Sequence, residues 1–258
     1  MNLWLLIAAA VLPAFVIGYW IYRQDYHEPE PLSMLFRAFV CGGFSTVPAA
    51  VIQLFFKNIE SPASLIGIAA FAFGIVALTE ELSKFLALRL FIYPNEEFDE
   101  PMDGIVYGVM VGLGFATVEN ILYVTNIESG GFGTAIGRAF TAVPAHAAFG
   151  ILMGSYVGLA KFFPEKRAAF MLTGLLLAVF FHGLYDFFLL QKVYEGLGTL
   201  AIFTLIWSIS MSRRLVKMGQ DVSPFKKSPP FADDSSPLLR TLKPPTENEE
   251  DIRNEDLI

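Results

Sequence analysis

Long uninterrupted runs of apolar residues constrain this chain more than any other feature of its sequence. A helix needs about 20 apolar residues to cross a hydrocarbon core of ~30 Å, and several runs reach that length. Of the 258 residues 54% are hydrophobic and only 17% charged, whereas soluble domains carry about 25% charged residues. The runs do not alternate apolar and polar residues, as the strands of a membrane β-barrel do. We therefore predict an all-α, polytopic membrane helix bundle.

Breaks between the apolar runs predict about seven transmembrane helices. They cover residues 3–22, 33–56, 64–92, 103–125, 137–160, 168–190 and 196–212. We interpret the first as a retained helix, because no basic segment precedes it and no small-residue cleavage site follows it. From about Met218 the chain becomes proline-rich and acidic, a composition that cannot bury a core. We therefore expect a membrane domain over residues 1–217 and a disordered cytoplasmic tail over residues 218–258.

Lysine and arginine mark the cytoplasmic ends of membrane helices. With seven helices, one side of the membrane collects Arg23, Arg89, Lys161, Lys166, Arg167, Arg213, Arg214 and Lys217. The other side collects Lys57, Arg138 and Lys192. This asymmetry predicts an N-terminus outside the cell and a C-terminus in the cytoplasm of a cell-membrane protein. The net charge of −7 argues against a nucleic-acid partner.

Two predicted helices carry a glycine at every fourth position. The fourth contains Gly104, Gly108 and Gly112, and the fifth contains Gly150, Gly154 and Gly158. Small residues at this spacing let two membrane helices approach closely. We therefore expect both glycine faces to point into the bundle, together with the polar residues that lie on them.

Ionisable residues within membrane helices are costly, about 2.5–3.5 kcal/mol each at the centre of a span, and usually serve a function. The third helix contains Glu80, Glu81 and Lys84, at spacings that allow either glutamate to pair with the lysine. Because the two glutamates differ by about 100° in direction, we expect them to have different roles. The alternative is an ion pair near the end of a helix.

Three further helices add polar residues. The fourth contains Glu119 and Asn120 near its glycine face, and the fifth contains His146, four residues before Gly150. Pro144 is expected to kink the helix beside this histidine. The sixth contains a histidine and an aspartate one turn apart, which suits two metal ligands, or a histidine with a hydrogen-bond partner. These two residues are His182 and Asp186.

Four segments in this order resemble the PrsW intramembrane protease family and, more distantly, the type II CAAX prenyl endopeptidases and their bacteriocin-processing relatives. They are EELSK (80–84), GFATVEN (114–120), AHAAFG (145–150) and HGLYDF (182–187). The resemblance covers roughly residues 15–190. It implies a membrane-embedded peptidase whose substrate is a membrane-anchored protein. In PrsW-like proteins the implied reaction is site-1 cleavage of an anti-sigma factor.

Two departures from the CAAX relatives stand out. Lys84 follows Glu81 by three residues, where those proteins usually have an arginine four residues on. Asp186 stands where they have an asparagine. An ionised aspartate cannot donate the hydrogen bond with which an amide would stabilise an oxyanion.

Two hydrolytic mechanisms remain open. In the first, Glu80 or Glu81 deprotonates a water while His146 and His182 stabilise the oxyanion or pass on the proton. In the second, the two histidines hold zinc together with a carboxylate of the fourth or sixth helix, and the glutamate pair supplies the base. That carboxylate is Glu119 or Asp186.

Two non-proteolytic functions also fit the polar residues. Intramembrane glutamate, histidine and aspartate are typical of proton-coupled transporters, although the sequence contains no pair of matching halves. A non-catalytic membrane scaffold would use the same residues only to fix the helices relative to one another.

Overall fold

The computed structural model describes residues 3–56, 64–126, 130–194 and 196–226. Within these ranges all regular secondary structure is helical, and seven helical spans are long and apolar enough to cross a membrane. The prediction of a polytopic helix bundle is therefore confirmed. Most of the expected tail, from residue 227 onwards, lies outside the described residues.

Over the described part of the chain, eight helices α1–α8 build the bundle. In chain order they are Leu3–Tyr22, Leu32–Phe56, Leu65–Ile92, Pro101–Val124, Phe132–Phe140, Ala142–Phe162, Arg167–Leu190 and Leu200–Val222. Helices α4 and α6 pack against each other along the centre, α2 and α1 cover α4, and α7 and α8 cover α6. Short 3₁₀ turns precede α7 and α8.

Helix α3 is 28 residues long and combines two kinds of helical winding. The wider π-helical turns Ala70–Ala77 and Leu88–Ile92 flank the α-helical segment Leu78–Ala87, which carries the two glutamates and the lysine. Turns of this kind occur frequently at functional sites.

The predicted fifth helix is two helices, and the interruption lies one turn before Pro144. Helix α5 ends at Phe140 and α6 begins at Ala142, with Thr141 between them at φ −123° and ψ −73°. Pro144 therefore lies in the first turn of α6, where its missing N–H would have had no partner within the helix in any case. The chain turns before the proline, and α6 continues unbroken through His146.

The last helix extends ten residues beyond its predicted end at 212, to Val222. The apolar run stops at the basic residues Arg213 and Arg214, but arginine and lysine are good helix formers. Val216 and Gly219 are buried beyond that point, so the added turns still pack against the bundle. The expected tail thus begins inside α8.

The glycine faces of α4 and α6 meet, as predicted. A Cβ atom added to Gly154 would lie 2.0 Å from the carbonyl oxygen of Gly104, and one added to Gly150 would lie 2.6 Å from that of Gly108. Helix α2 approaches α4 equally closely, since a Cβ on Gly42 would lie 2.0 Å from the carbonyl oxygen of Val111. Backbone therefore packs directly on backbone at the centre of the bundle.

We predict that Gly154→Ala destabilises the protein by about 1–3 kcal/mol, because the added methyl group overlaps backbone that cannot move aside. The matched control is Gly137→Ala on α5, where an added Cβ meets nothing within 4 Å. Thermal unfolding in detergent should show a lower midpoint for the first variant only. Equal midpoints would contradict the close packing of α4 and α6.

Candidate active site

The polar residues predicted from four separate helices lie together in the interior. Helix α3 contributes Glu80, Glu81 and Lys84, α4 contributes Glu119, α6 contributes His146, and α7 contributes His182 and Asp186. The side chains of Glu81, Lys84 and the two histidines are at most 5% exposed. All seven residues contact one another through an unbroken set of hydrogen bonds and ion pairs, and we call these seven residues the carboxylate–histidine cluster.

Lys84 lies at the centre of this cluster. Its Nζ donates to Glu81 Oε1 at 2.7 Å and lies 2.9 Å from His146 Nδ1 and 3.7 Å from Glu80 Oε2. The ammonium also lies 4.1 Å from the centre of the Phe115 ring. The lysine thus provides one positive charge that two carboxylates, an imidazole and an aromatic ring share.

Each histidine has a carboxylate partner. An ammonium can only donate, so His146 Nδ1 accepts from Lys84 and the Nε2–H group donates to Glu119 Oε2 at 2.9 Å. His182 Nδ1 lies 2.7 Å from Glu81 Oε1, while its Nε2 lies 3.3 Å from Asp186 Oδ2 and 3.8 Å from Glu80 Oε2. Such partners fix the orientation and tautomer of an imidazole.

The two adjacent glutamates differ in their surroundings. Both oxygens of Glu80 approach groups from other parts of the chain, because Oε1 accepts from Gln53 Nε2 at 3.1 Å and Oε2 faces His182. Glu81 is fully buried and holds Lys84 and His182 through a single oxygen. Oε2 of each glutamate is buried without a hydrogen-bond partner among the described residues.

Asn120 does not reach either histidine. Its side chain accepts from Arg138 Nε at 2.6 Å and donates to the carbonyl oxygen of Ala10 at 3.2 Å. Arg138 in turn binds Glu119 Oε2 at 2.6 Å. Asn120 therefore positions the arginine, and the arginine neutralises the carboxylate that His146 contacts.

The sequence analysis missed Arg138, Gln53 and Phe115 as parts of this region. Arg138 had appeared only as a residue at the end of a helix, and the short helix α5 turns it inward. A glutamine within the apolar second helix was a usable signal for Gln53. The sequence contains no comparable signal for Phe115, since the chain has 25 phenylalanines.

A cavity of about 750 Å³ opens beside the cluster. Carboxylates from three helices line it, namely Glu80, Glu119 and Asp186, together with both histidines. Glu81 and Lys84 lie behind this wall, and apolar residues of α2, α3 and α7 form much of the remainder. This volume falls in the range of small-molecule and peptide pockets, roughly 300–1,000 Å³.

Three groups of the cluster can hold a metal ion together. Ligand atoms of Glu80, His146 and His182 all lie within 4.8 Å of one another, and all three residues are buried. The set contains two imidazoles and one carboxylate, which is a common donor set of catalytic zinc sites. The third ligand expected from sequence was Glu119 or Asp186, but Glu119 Oε2 already binds His146 and Arg138.

Comparison with known proteins agrees with this geometry. Residues 30–211 match the sequence model of the PrsW family intramembrane metalloproteases. Protease PrsW of Geobacillus kaustophilus is 42% identical over 205 residues, which is 77% of this chain and 87% of that protein. Protease PrsW of Bacillus subtilis is 35% identical over 185 residues, which is 71% of this chain and 82% of that protein. No solved structure matches.

These similarities confirm the resemblance expected from the four sequence segments, and they favour the peptidase over the transporter and scaffold alternatives. They cover most of the membrane domain, including every helix that contributes to the carboxylate–histidine cluster. The chain therefore belongs to the PrsW family and is a multi-pass intramembrane protease that acts on a membrane protein.

Proposed function

We propose that this protease cleaves its substrate with the help of a zinc ion held by Glu80, His146 and His182. The observation that carries the proposal is the convergence of these three ligand groups within 4.8 Å, at the wall of a cavity. The family description as metalloproteases supports the same interpretation. Three protein ligands leave a fourth position for water or substrate, as in catalytic zinc sites generally.

The hydrogen bonds of the cluster suit this role. Glu119 occupies His146 Nε2 and Glu81 occupies His182 Nδ1, which leaves His182 Nε2 for a ligand, while the ion would replace the Lys84 ammonium as the partner of the His146 Nδ1 lone pair. Glu80 Oε2, the oxygen that faces His182, is buried and has no hydrogen-bond partner among the described residues. The carboxylates and imidazoles that would hold the ion already surround one positive charge, the Lys84 ammonium.

The carboxylates of the cluster then have different roles in the reaction. A zinc ion bound here would polarise the scissile carbonyl and lower the pKa of a water molecule. Glu81 acts as a positioning residue, because it is buried behind the wall and orients both His182 and Lys84. Glu119 is neutralised by Arg138, which leaves Asp186 as the cavity carboxylate best able to accept a proton.

Asp186 therefore acts as the general base. It removes a proton from the attacking water as the new C–O bond forms, and it delivers this proton to the nitrogen of the leaving amine as the tetrahedral intermediate of the substrate collapses and the C–N bond breaks. Its side chain is 18% exposed and contacts His182 from one turn away. The Lys84 ammonium adds positive charge near the developing oxyanion.

The proposed substrate is a single-span protein of the cell membrane, such as an anti-sigma factor. This assignment rests on the resemblance to PrsW-like proteins and on the distribution of basic residues, which favours an outer N-terminus and a cytoplasmic tail. In that orientation Glu119, His146, His182 and Asp186 lie in the outer half of the bilayer. The cut is then expected on the extracytoplasmic side of the substrate's span.

We predict that Glu80→Gln, His146→Ala and His182→Ala each abolish cleavage of such a substrate in liposomes, because each removes a ligand. The controls Glu165→Gln and His27→Ala should cleave at the wild-type rate, since both residues lie away from the cluster. Mass spectrometry of the products locates the cut. Cleavage by the three site variants would sink the assignment of these residues.

We predict one zinc ion per wild-type chain, measured by elemental mass spectrometry on purified protein. His146→Ala and His182→Ala should lose it, and a chelator should stop cleavage until zinc is added back. If the wild type contains no metal and resists the chelator while Glu80→Gln remains inactive, Glu80 is instead the general base of a metal-free reaction.

We predict that Asp186→Asn retains zinc but lowers kcat by about 10²–10⁴-fold with little change in KM, because it removes only the proton acceptor. Metal analysis and steady-state kinetics on the same preparation test this. Loss of zinc would make Asp186 a ligand, and an unchanged kcat would remove it from the mechanism.

A further inference from the structure

Three buried carboxyl groups meet at the end of the bundle where α4 begins. Asp25 lies in the connection between α1 and α2, Glu100 immediately precedes α4, and Asp103 lies in its first turn. They are 2%, 0% and 0% exposed, and their oxygens lie within 4.8 Å of one another. We call these residues the acidic cluster.

Some buried oxygens of the acidic cluster lack hydrogen-bond partners among the described residues. Asp103 Oδ2 accepts from the backbone N–H groups of Asp99 and Glu100 at 2.6 and 2.7 Å, but its Oδ1 has no hydrogen-bond partner among the described residues. The same holds for Asp25 Oδ2, whereas the Glu100 side chain accepts from the backbone N–H of Asp103 in a capping box at the start of α4. Buried polar atoms are rarely left in this state unless water or an ion satisfies them.

Neighbouring side chains do not neutralise this charge. Among the described residues no ion pair involves the acidic cluster, and the ammonium of Lys161 donates instead to the carbonyl oxygens of Tyr93 and Asn95. Glu30, with the Tyr107 hydroxyl as a donor, adds a fourth buried carboxyl group. In their ionised form these carboxyl groups would therefore be strongly destabilised without a cation partner.

The burial of these groups changes the pKa values of carboxyl groups that lie outside the membrane-spanning segments. Burial, reinforced by the negative charges of Glu100 and Asp103, raises the pKa of Asp25 to about 8. Burial also raises the pKa of Glu30 to about 7. A bound cation would relieve both the desolvation and the repulsion that cause these shifts.

The acidic cluster is separate from the protease site. Asp103 and Glu119 are sixteen positions apart on α4, which at 1.5 Å per residue amounts to about 24 Å. The two clusters also differ in their donors, since the acidic cluster offers only oxygen atoms.

We propose that Asp25, Glu100 and Asp103 bind a hard divalent cation, Mg²⁺ or Ca²⁺, as a second metal site. Carboxylate oxygens without nitrogen or sulfur donors select these ions over zinc. The bound cation joins the α1–α2 connection to the start of α4. Gln220 Nε2 donates to the carbonyl oxygen of Gln24 at 2.8 Å, so the end of α8 is tied to the same connection.

Thermal unfolding of the full-length protein in detergent, after chelation and dialysis, tests the proposal. Mg²⁺ and Ca²⁺ are titrated separately, and the ion that acts at the lower concentration is the preferred ligand. At about 100 times its Kd it should raise the unfolding midpoint by about 5 °C or more. Glu80→Gln should show the same rise, because it alters only the protease site.

Glu100→Gln should show no rise with either ion, whereas the exposed neighbour Glu96→Gln should respond as the wild type does. Without cation Glu100→Gln should unfold no earlier than the wild type, since it removes one buried negative charge. This keeps loss of binding distinct from loss of folding. A midpoint that does not respond to either ion in the wild type, or that rises equally in Glu100→Gln, would overturn the proposal.

Discussion

The protein depends on compensating buried charge within the membrane region. Lys84 donates to Glu81 and His146 and lies near Glu80, while Arg138 neutralises Glu119. Each group alone would cost several kcal/mol within a span, and removing one partner of a buried pair typically costs about 3–5 kcal/mol. The helices that carry these groups are therefore held together by the same contacts that build the carboxylate–histidine cluster.

The glycine packing sets the distances on which this compensation relies. The glycine faces of α4 and α6 end at the carboxylate–histidine cluster, because a Cβ on Gly112 would lie 2.7 Å from the carbonyl oxygen of His146. That approach brings Glu119 of α4 within 2.9 Å of the His146 ring. Larger residues at these glycine positions would separate the two helices and move Glu119 away from His146. The glycine packing is therefore needed for this carboxylate–imidazole pair to form.

Sequence predicted the number of spans and the inward direction of the polar residues, because apolar length and helical spacing are local properties. It did not predict the break at Thr141 or the continuation of α8 to Val222, since both depend on how the ends of helices pack. It also proposed Glu119 or Asp186 as the third metal ligand, where the geometry favours Glu80. Helical spacing does not determine which of several carboxylates faces two histidines, because this depends on how the helices pack in the tertiary structure.

The acidic cluster is a second feature that the sequence alone did not predict. Asp25 and Glu100 lie in connections between helices, where acidic residues are normally solvated, and a single sequence contains no sign that they are buried. Helix α4 carries a carboxylate towards each cluster, Asp103 at its start and Glu119 near its end. Because glycine packing joins α4 closely to both α2 and α6, the relative positions of the two clusters are fixed by the best-packed helices of the bundle.

The remaining walls of the cavity come from α2, α3 and α7, and the segment of α3 that lines it, around Phe71 and Val76, is π-helical. The closely packed helices α4 and α6 thus carry only Glu119 and His146, whereas α3 and α7 carry the remaining members of the carboxylate–histidine cluster and also line the cavity.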